Sequence, residues 1–164
     1  MFKSLVTNTN GPVMKSLLIV YHSQSGSSAR LARAAWEGAR SEAGIAAVVK
    51  RAWDAGVLDL ADADGVLLIM AENSGYLSGG MKDFLDRIFY PAIERRLVLP
   101  YALLVSAGND GRAAVRQAET ILSGIPFAAA SEPLILRGEV TGIHLERSKE
   151  LGQAIAAGLE MGIF

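Results

Sequence analysis

The sequence predicts an α/β domain, a three-layer sandwich in which a five-stranded parallel sheet is covered by helices on both faces. Three observations carry that expectation. Short, uninterrupted apolar runs recur along the chain, as strands buried on both faces require. Amphipathic stretches with apolar residues at helical spacing lie between them, and a strand–helix alternation of this kind leads to a parallel sheet with right-handed crossovers. The chain has 164 residues, 51% of them apolar, enough for one domain with a core that needs neither disulfide nor metal.

Leu17-Leu18-Ile19-Val20-Tyr21 is the first strand. After a Ser/Gly cluster comes a helix with Leu31, Ala32, Ala35, Trp36 and Ala39 on one face and Arg30, Arg33, Glu37 and Arg40 on the other. Gly44 closes it, and Ile45–Val49 is the second strand. Asp54–Asp64 reads as a short helix and turn, and Gly65–Ala71 as the third strand. Glu72–Gly80 is expected to be a loop, longer than most connections. Met81, Phe84, Leu85, Ile88, Phe89, Ala92 and Ile93 keep helical spacing, with Pro91 expected to end or kink the helix. Pro100 opens a fourth strand, Tyr101–Ser106. A turn, Ala107–Gly111, leads into a helix carrying Ala114, Val115, Ala118, Ile121 and Leu122. Leu134–Leu136 is the fifth strand, and Leu151, Ala154, Ile155 and Leu159 mark a last helix. Residues 15–164 thus form one domain, preceded by an extension, residues 1–14, expected to be loosely ordered.

Composition removes several classes of function. Sixteen basic against 17 acidic residues give a formal charge of −1, which argues against a nucleic-acid partner. The absence of cysteine excludes disulfides, thiol chemistry and iron–sulfur ligation, and two histidines, His22 and His144, make a multi-histidine metal centre implausible. The longest apolar run, Val66–Ala71, falls far short of a bilayer span, and Met1–Val13 lacks the basic start and apolar middle of a secretory signal. No membrane association and a cytoplasmic location are therefore expected.

Ligands of open parallel sheets bind outside the carboxyl ends of the strands. Three loops rich in Gly, Ser and Asn follow strands one, three and four. The first, Ser23-Gln24-Ser25-Gly26-Ser27-Ser28, runs straight into a helix. Its four hydroxyls can donate to phosphate oxygens, Gly26 permits close backbone approach, and the helix amino end favours an anion. Without Lys or Arg, the loop suits a phosphate monoester held permanently better than one being transferred. The same residues also make a good turn and cap, and it is the two further Gly/Asn loops at the same edge that favour a ligand. Neither G-x-x-x-x-G-K-[ST] nor G-x-G-x-x-G is present, which disfavours nucleotide hydrolysis and a dinucleotide fold.

The pattern Ser23-x-Ser25-Gly26-x-Ser28 resembles the phosphate loop of flavodoxins and flavodoxin-like NAD(P)H oxidoreductases. The stretch Glu72-Asn73-Ser74-Gly75-Tyr76-Leu77-Ser78-Gly79-Gly80-Met81-Lys82-Asp83-Phe84-Leu85-Asp86-Arg87 is similar to the third-strand loop and following helix of FMN-dependent NAD(P)H:quinone and FMN reductases. The resemblance covers Lys15 to about Ile121 and implies a 2-1-3-4-5 strand order and one bound FMN. It implies that Ser23, Ser25, Gly26, Ser27 and Ser28 hold the phosphate. Asn73, Ser74, Gly75, Tyr76 and Leu77 would lie against the isoalloxazine, and Ser106, Ala107, Gly108, Asn109 and Gly111 would close its other edge. Where relatives often carry proline after strand three, this chain has Ala71-Glu72.

The resemblance implies an oxidoreductase passing a hydride from NAD(P)H through FMN to a quinone, flavin or other small acceptor. It also implies a homodimer or higher homo-oligomer, consistent with the apolar segments Phe89–Ile93 and Met161–Phe164. The alternatives are a flavodoxin-like electron carrier without its own substrate, and a Ser hydrolase using Ser23 or Ser25 with His144 as base. Tyr76 is placed to cover a flavin face or to pack on a neighbour. Arg112 either meets a donor phosphate or is solvated. His22 reads as a packed residue at the sheet edge, His144 as part of a turn before the last helix, and Trp36 and Trp53 as packing residues.

Overall fold

The computed structural model describes residues 13–164. The extension expected over residues 1–14 therefore lies, but for Val13 and Met14, outside the described residues; those two are exposed and precede the first strand.

The chain runs through β1 (Lys15–Tyr21), α1 (Ser27–Ala39), β2 (Ile45–Arg51), a 3-10 turn (Ala52–Asp54), α2 (Val57–Ala61), β3 (Gly65–Asn73), β4 (Tyr76–Leu77), α3 (Gly79–Glu94), β5 (Pro100–Ala107), α4 (Arg112–Leu122), β6 (Ala128–Ala129), β7 (Leu134–Arg137) and α5 (Gly142–Met161). The sheet order is β2-β1-β3-β5, parallel throughout, with β6 and β7 both on the free edge of β5. β6 pairs with Pro100–Tyr101 and β7 with Leu104–Ala107, so together they fill the fifth position of the 2-1-3-4-5 order in two pieces. Pro133 sits in the break, where its missing N–H could not serve a ladder.

The continuous apolar runs have a direct cause. Leu18, Val20, Val66, Leu68, Met70, Leu103 and Val105 face one layer, built on α3 and α4 through Met81, Phe84, Leu85, Ile88, Ala114, Ala118 and Leu122. Their neighbours Leu17, Ile19, Leu67, Ile69, Ala102 and Leu104 face the other, built on α1 and α5 through Leu31, Ala32, Ala35, Ile155, Ala156 and Leu159. Neither side of the central strands meets water.

Four expectations are corrected. Pro91 does not end α3, which continues to Glu94. Its missing N–H leaves the Arg87 carbonyl without a helical partner, and buried Ile88 and Ala92 hold the helix on the core across it. The stretch Glu72–Gly80 is not a loop. β3 extends to Asn73 and turns back into β4, with Glu72 opposite Leu77 and Asn73 opposite Tyr76. Ser74 (φ 51°) and Gly75 (φ 74°) both take positive φ, the geometry of a two-residue type I′ turn whose twist matches that of the strands. His144 is not in a preceding turn but in the first turn of α5. Ala154 faces solvent, while Gly152 takes the inward position.

That last difference reflects close helix packing. A Cβ on Gly38 would collide with the carbonyl of Lys149, and one on Gly152 with the carbonyl of Ala35, so α1 and α5 touch backbone to backbone. Buried Ser148 donates its hydroxyl hydrogen bond to the Leu31 carbonyl (2.7 Å) at the same seam. Among the described residues no helix is long and apolar enough to cross a membrane.

Candidate functional site

The chain leaves β1 for β2 on one side and returns to β3 on the other, so the crevice where strand order reverses lies between the carboxyl ends of β1 and β3. Each helix that follows a strand presents its amino end to this edge. The N–H groups there seek acceptors, and the helix dipole adds positive potential.

Three of the five amino ends have a partner from the protein itself. Asp59 accepts the Gly56 N–H before α2 (2.9 Å). His144 Nδ1 receives the Thr141 N–H before α5 (3.4 Å). Glu72, at the end of β3, reaches α4 and accepts the N–H groups of Gly111 and Ala114, each at 3.1 Å. The amino ends of α1 and α3 have no side-chain cap and no acidic residue in the first turn.

At α1, Gly26 is the cap in a left-handed conformation (φ 102°), which a side chain would oppose, and its N–H donates to Ser23 Oγ (3.1 Å). Ser25 is exposed, Ser23 and Ser27 are half-buried, and Ser28 is buried with no partner for its hydroxyl. At α3 the cap residue Ser78 is fully buried, and its hydroxyl is also unpartnered. Among the described residues the only other buried side-chain polar atom without a partner is His22 Nδ1. Ser28 is in the first turn of α1, Ser78 is the cap of α3, and His22 lies between β1 and α1. Native interiors seldom leave such groups unpaired, because each costs about 1–3 kcal/mol.

His22 leaves β1 with its ring against Gly80 and edge-on to Trp53 (centroids 5.5 Å apart). Burial holds its pKa below the ordinary imidazole value, so at neutral pH the ring is uncharged. The Ser23–Ser28 loop therefore offers neutral donors only.

The hairpin presents Ser74, Gly75 and Tyr76 to solvent, with Asn73 half-buried. Leu77 points into the core, and its N–H is taken by Gln117 Oε1 (2.6 Å). On the third segment, Ser106 and Ala107 are buried within β5, and Gly111 has its N–H on Glu72, which leaves Gly108 and Asn109 as the exposed part. Arg112 is engaged with Asp110 (2.6 Å), while Arg137 donates to the Asp110 carbonyl (2.9 Å). The Arg112 hydrogen bond holds the Asp110 carboxyl below its usual range. The segments singled out from sequence thus meet at one edge, with Leu77, Ser106, Ala107 and Gly111 available less by side chain than by framing the rest.

Glu72, Ser78 and Gln117 enter only through the structure. Glu72 stands out in the sequence only as a departure from proline. Its partners are 39 and 42 residues away, a separation that leaves no local signal.

A cavity of about 670 Å³ lies between α1 and β2, lined by Tyr21, Trp36, Val49 and Arg51 among others. A smaller one, about 100 Å³, adjoins the first loop between Tyr21, His22, Ser23, Arg51 and Trp53. Among the described residues no group of three or more His, Asp or Glu could hold a metal ion. Nor does Ser23 or Ser25 hydrogen-bond a histidine there, as a hydrolytic pair would require.

No protein-family model matches the sequence, and no curated protein does. Solved structures do match. A flavodoxin from the domain Archaea superposes with a TM-score of 0.75 at 21% identity, over 88% of this chain and 99% of that one. A WrbA-like flavodoxin from Agrobacterium tumefaciens gives 0.72 at 18% identity, over 90% and 98%. The flavodiiron core of Flv1 from Synechocystis gives 0.75 at 17% identity over 92% of this chain, which spans only 37% of that one. The fold is flavodoxin-like.

Proposed function

We propose that the chain is an FMN-binding flavoprotein and an NAD(P)H-dependent oxidoreductase, passing a hydride through FMN to a quinone, flavin or other small acceptor. The observation that carries the reading is the set of unpartnered buried atoms, His22 Nδ1, Ser28 Oγ and Ser78 Oγ, beside the two uncapped helix amino ends. A phosphate monoester joined to a polyol chain offers acceptors and hydroxyls to groups of this kind, and the residues present fit it. Ser23, Ser25, Gly26, Ser27 and Ser28 would hold the phosphate, as neutral donors at a helix amino end do. Asn73, Ser74, Gly75 and Tyr76 on one side and Gly108 and Asn109 on the other would flank the ring.

FMN when bound supplies the hydride chemistry, so no side-chain acid or base is required of the protein. The hairpin and the Gly108–Asn109 turn orient the ring. The exposed ring of Tyr76 (67% exposed) offers an aromatic surface for a planar partner. A formal charge of −1 gives little of the steering on which electron carriers rely, which favours the reductase over a carrier. Self-association belongs to the same reading and is supported by the exposed Tyr90 and Ile93 on α3. So does a cytoplasmic location.

The test is to incubate the purified chain with FMN, desalt it, record the visible spectrum, and add NADPH or NADH without oxygen. Retained flavin that bleaches promptly is the expected result. Retained flavin that stays oxidised makes the protein a carrier, and no retained flavin at high FMN overturns the reading.

A further inference from the structure

Glu72 spans two segments that would flank the ring. From the end of β3 its two carboxylate oxygens accept the N–H groups of Gly111 and Ala114, Oε1 taking the first and Oε2 the second. A second bridge runs the other way, from the Leu77 N–H in β4 to Gln117 on the second turn of α4 (2.6 Å). The hairpin is thereby fastened to α4 through both members of one rung, Glu72 and Leu77, at the base of its short ladder. Two segments distant in sequence become one unit, whereas the Ser23–Ser28 loop stands apart from it.

The bond pattern also has an electrostatic side. A carboxylate on a helix amino end satisfies the donors that an anionic ligand would otherwise use. With α4 filled by Glu72, the edge keeps open amino ends only at α1 and α3. A ligand with one anionic end is then turned away from the Gly108–Asn109 turn, its phosphate toward the amino ends that remain open, among them that of Ser23–Ser28.

We propose that Glu72 is a positioning residue for the flavin. Its two-pronged carboxylate sets the spacing between the hairpin and the Gly108–Asn109 turn and closes the amino end of α4 beside that turn to anions. This rests on the FMN reading above. It assigns to Glu72 something different from capping a helix, namely control over how tightly and in what electrostatic setting the ring is held.

The experiment compares Glu72→Gln and Glu72→Ala with the wild-type chain, and uses Asp59→Ala as a control that removes a carboxylate from the amino end of another helix, α2, where it accepts the Gly56 N–H and pairs with Lys50. Three quantities are measured: FMN dissociation constant by fluorescence quenching, midpoint potential of the bound flavin, and amide exchange at Gly111 and Ala114 in the flavin-free protein. Glu72→Gln keeps one acceptor but turns an amide N–H₂ toward the other donor. It is expected to weaken FMN by about tenfold, the scale of one lost charge-assisted hydrogen bond, and Glu72→Ala by more. The potential rises in both, because a negative charge no longer opposes reduction, and exchange at Gly111 and Ala114 accelerates. Asp59→Ala leaves affinity and potential unchanged. If both Glu72 variants speed exchange but keep wild-type affinity and potential, Glu72 is a helix cap and the proposal falls. If the wild-type chain retains no FMN, the cofactor reading falls first and the proposal with it.

Discussion

The imidazole of His22 packs against Gly80, filling the space in which any other residue there would carry its Cβ. The contact joins the end of β1 to the start of α3 and shields one face of the ring from water. Gly80→Ala would drive a methyl group into the imidazole, so it is expected to destabilise by about 1–3 kcal/mol, as overpacking does. Thermal unfolding reads this directly.

The same burial makes stability depend on pH. The folded protein holds the His22 pKa below the value of the unfolded chain, so the unfolded state takes up a proton first as pH falls. Stability from this group is complete above about pH 6.5, the unfolded value. It declines as pH drops from there toward the folded value. Urea unfolding at pH 8 and pH 5.5 should show a loss in the wild-type chain that shrinks in His22→Asn; an identical loss in both would assign it elsewhere.

Ser28 and Ser78 each bury a hydroxyl without a partner. Removing such a hydroxyl should leave the flavin-free protein as stable as before or more so, since the cost of an unsatisfied polar group disappears with it. The same substitutions, Ser28→Ala and Ser78→Ala, should weaken FMN. Opposite signs in melting temperature and in affinity would be the mark of groups kept for a ligand. A fall in both would make them ordinary core contacts.

Pro91 sits inside α3 with no hydrogen to give the Arg87 carbonyl one turn back. Pro91→Ala restores that bond and a residue of high helix propensity. The expected gain is up to about 3 kcal/mol, the helix-interior difference between the two residues, read as a higher urea midpoint with an unchanged slope.

Gly152→Ala would raise intrinsic helix propensity by about 1 kcal/mol, yet it should destabilise. The added methyl group meets the Ala35 carbonyl, a backbone atom that can move only by separating α1 from α5. A drop in melting temperature of about 2–4 °C per kcal/mol lost is the expected scale for a chain of this size.

How far the sequence carries can be judged from these positions. β1 and β3 were legible because both their faces are covered, and Leu17, Leu18, Ile19 and Val20 could only be consecutive apolar residues in such a layer. α1 was legible because one stripe of it packs and the other is solvated. The Ser23–Ser28 loop was recognisable from hydroxyls and glycine placed between a strand and a helix. The hairpin was not, because its ladder is two residues long and Ser74-Gly75 fits a loop as well as a turn. Gly152 was not, because a glycine inside a helix reads as a weak point until the opposing carbonyl is known. Glu72 was visible but mute, since its meaning lies in amides far along the chain.

The outer strand of the sheet is held in two pieces, and each takes its register from β5 without help from the other. After the Ala130 N–H meets the Tyr101 carbonyl (2.8 Å), the path from Ser131 to Pro133 belongs to no strand. Chain spliced in there would disturb neither anchorage. The break is a port in the scaffold, where a reporter domain or a tether could be grafted while the crevice at the carboxyl edge keeps its shape.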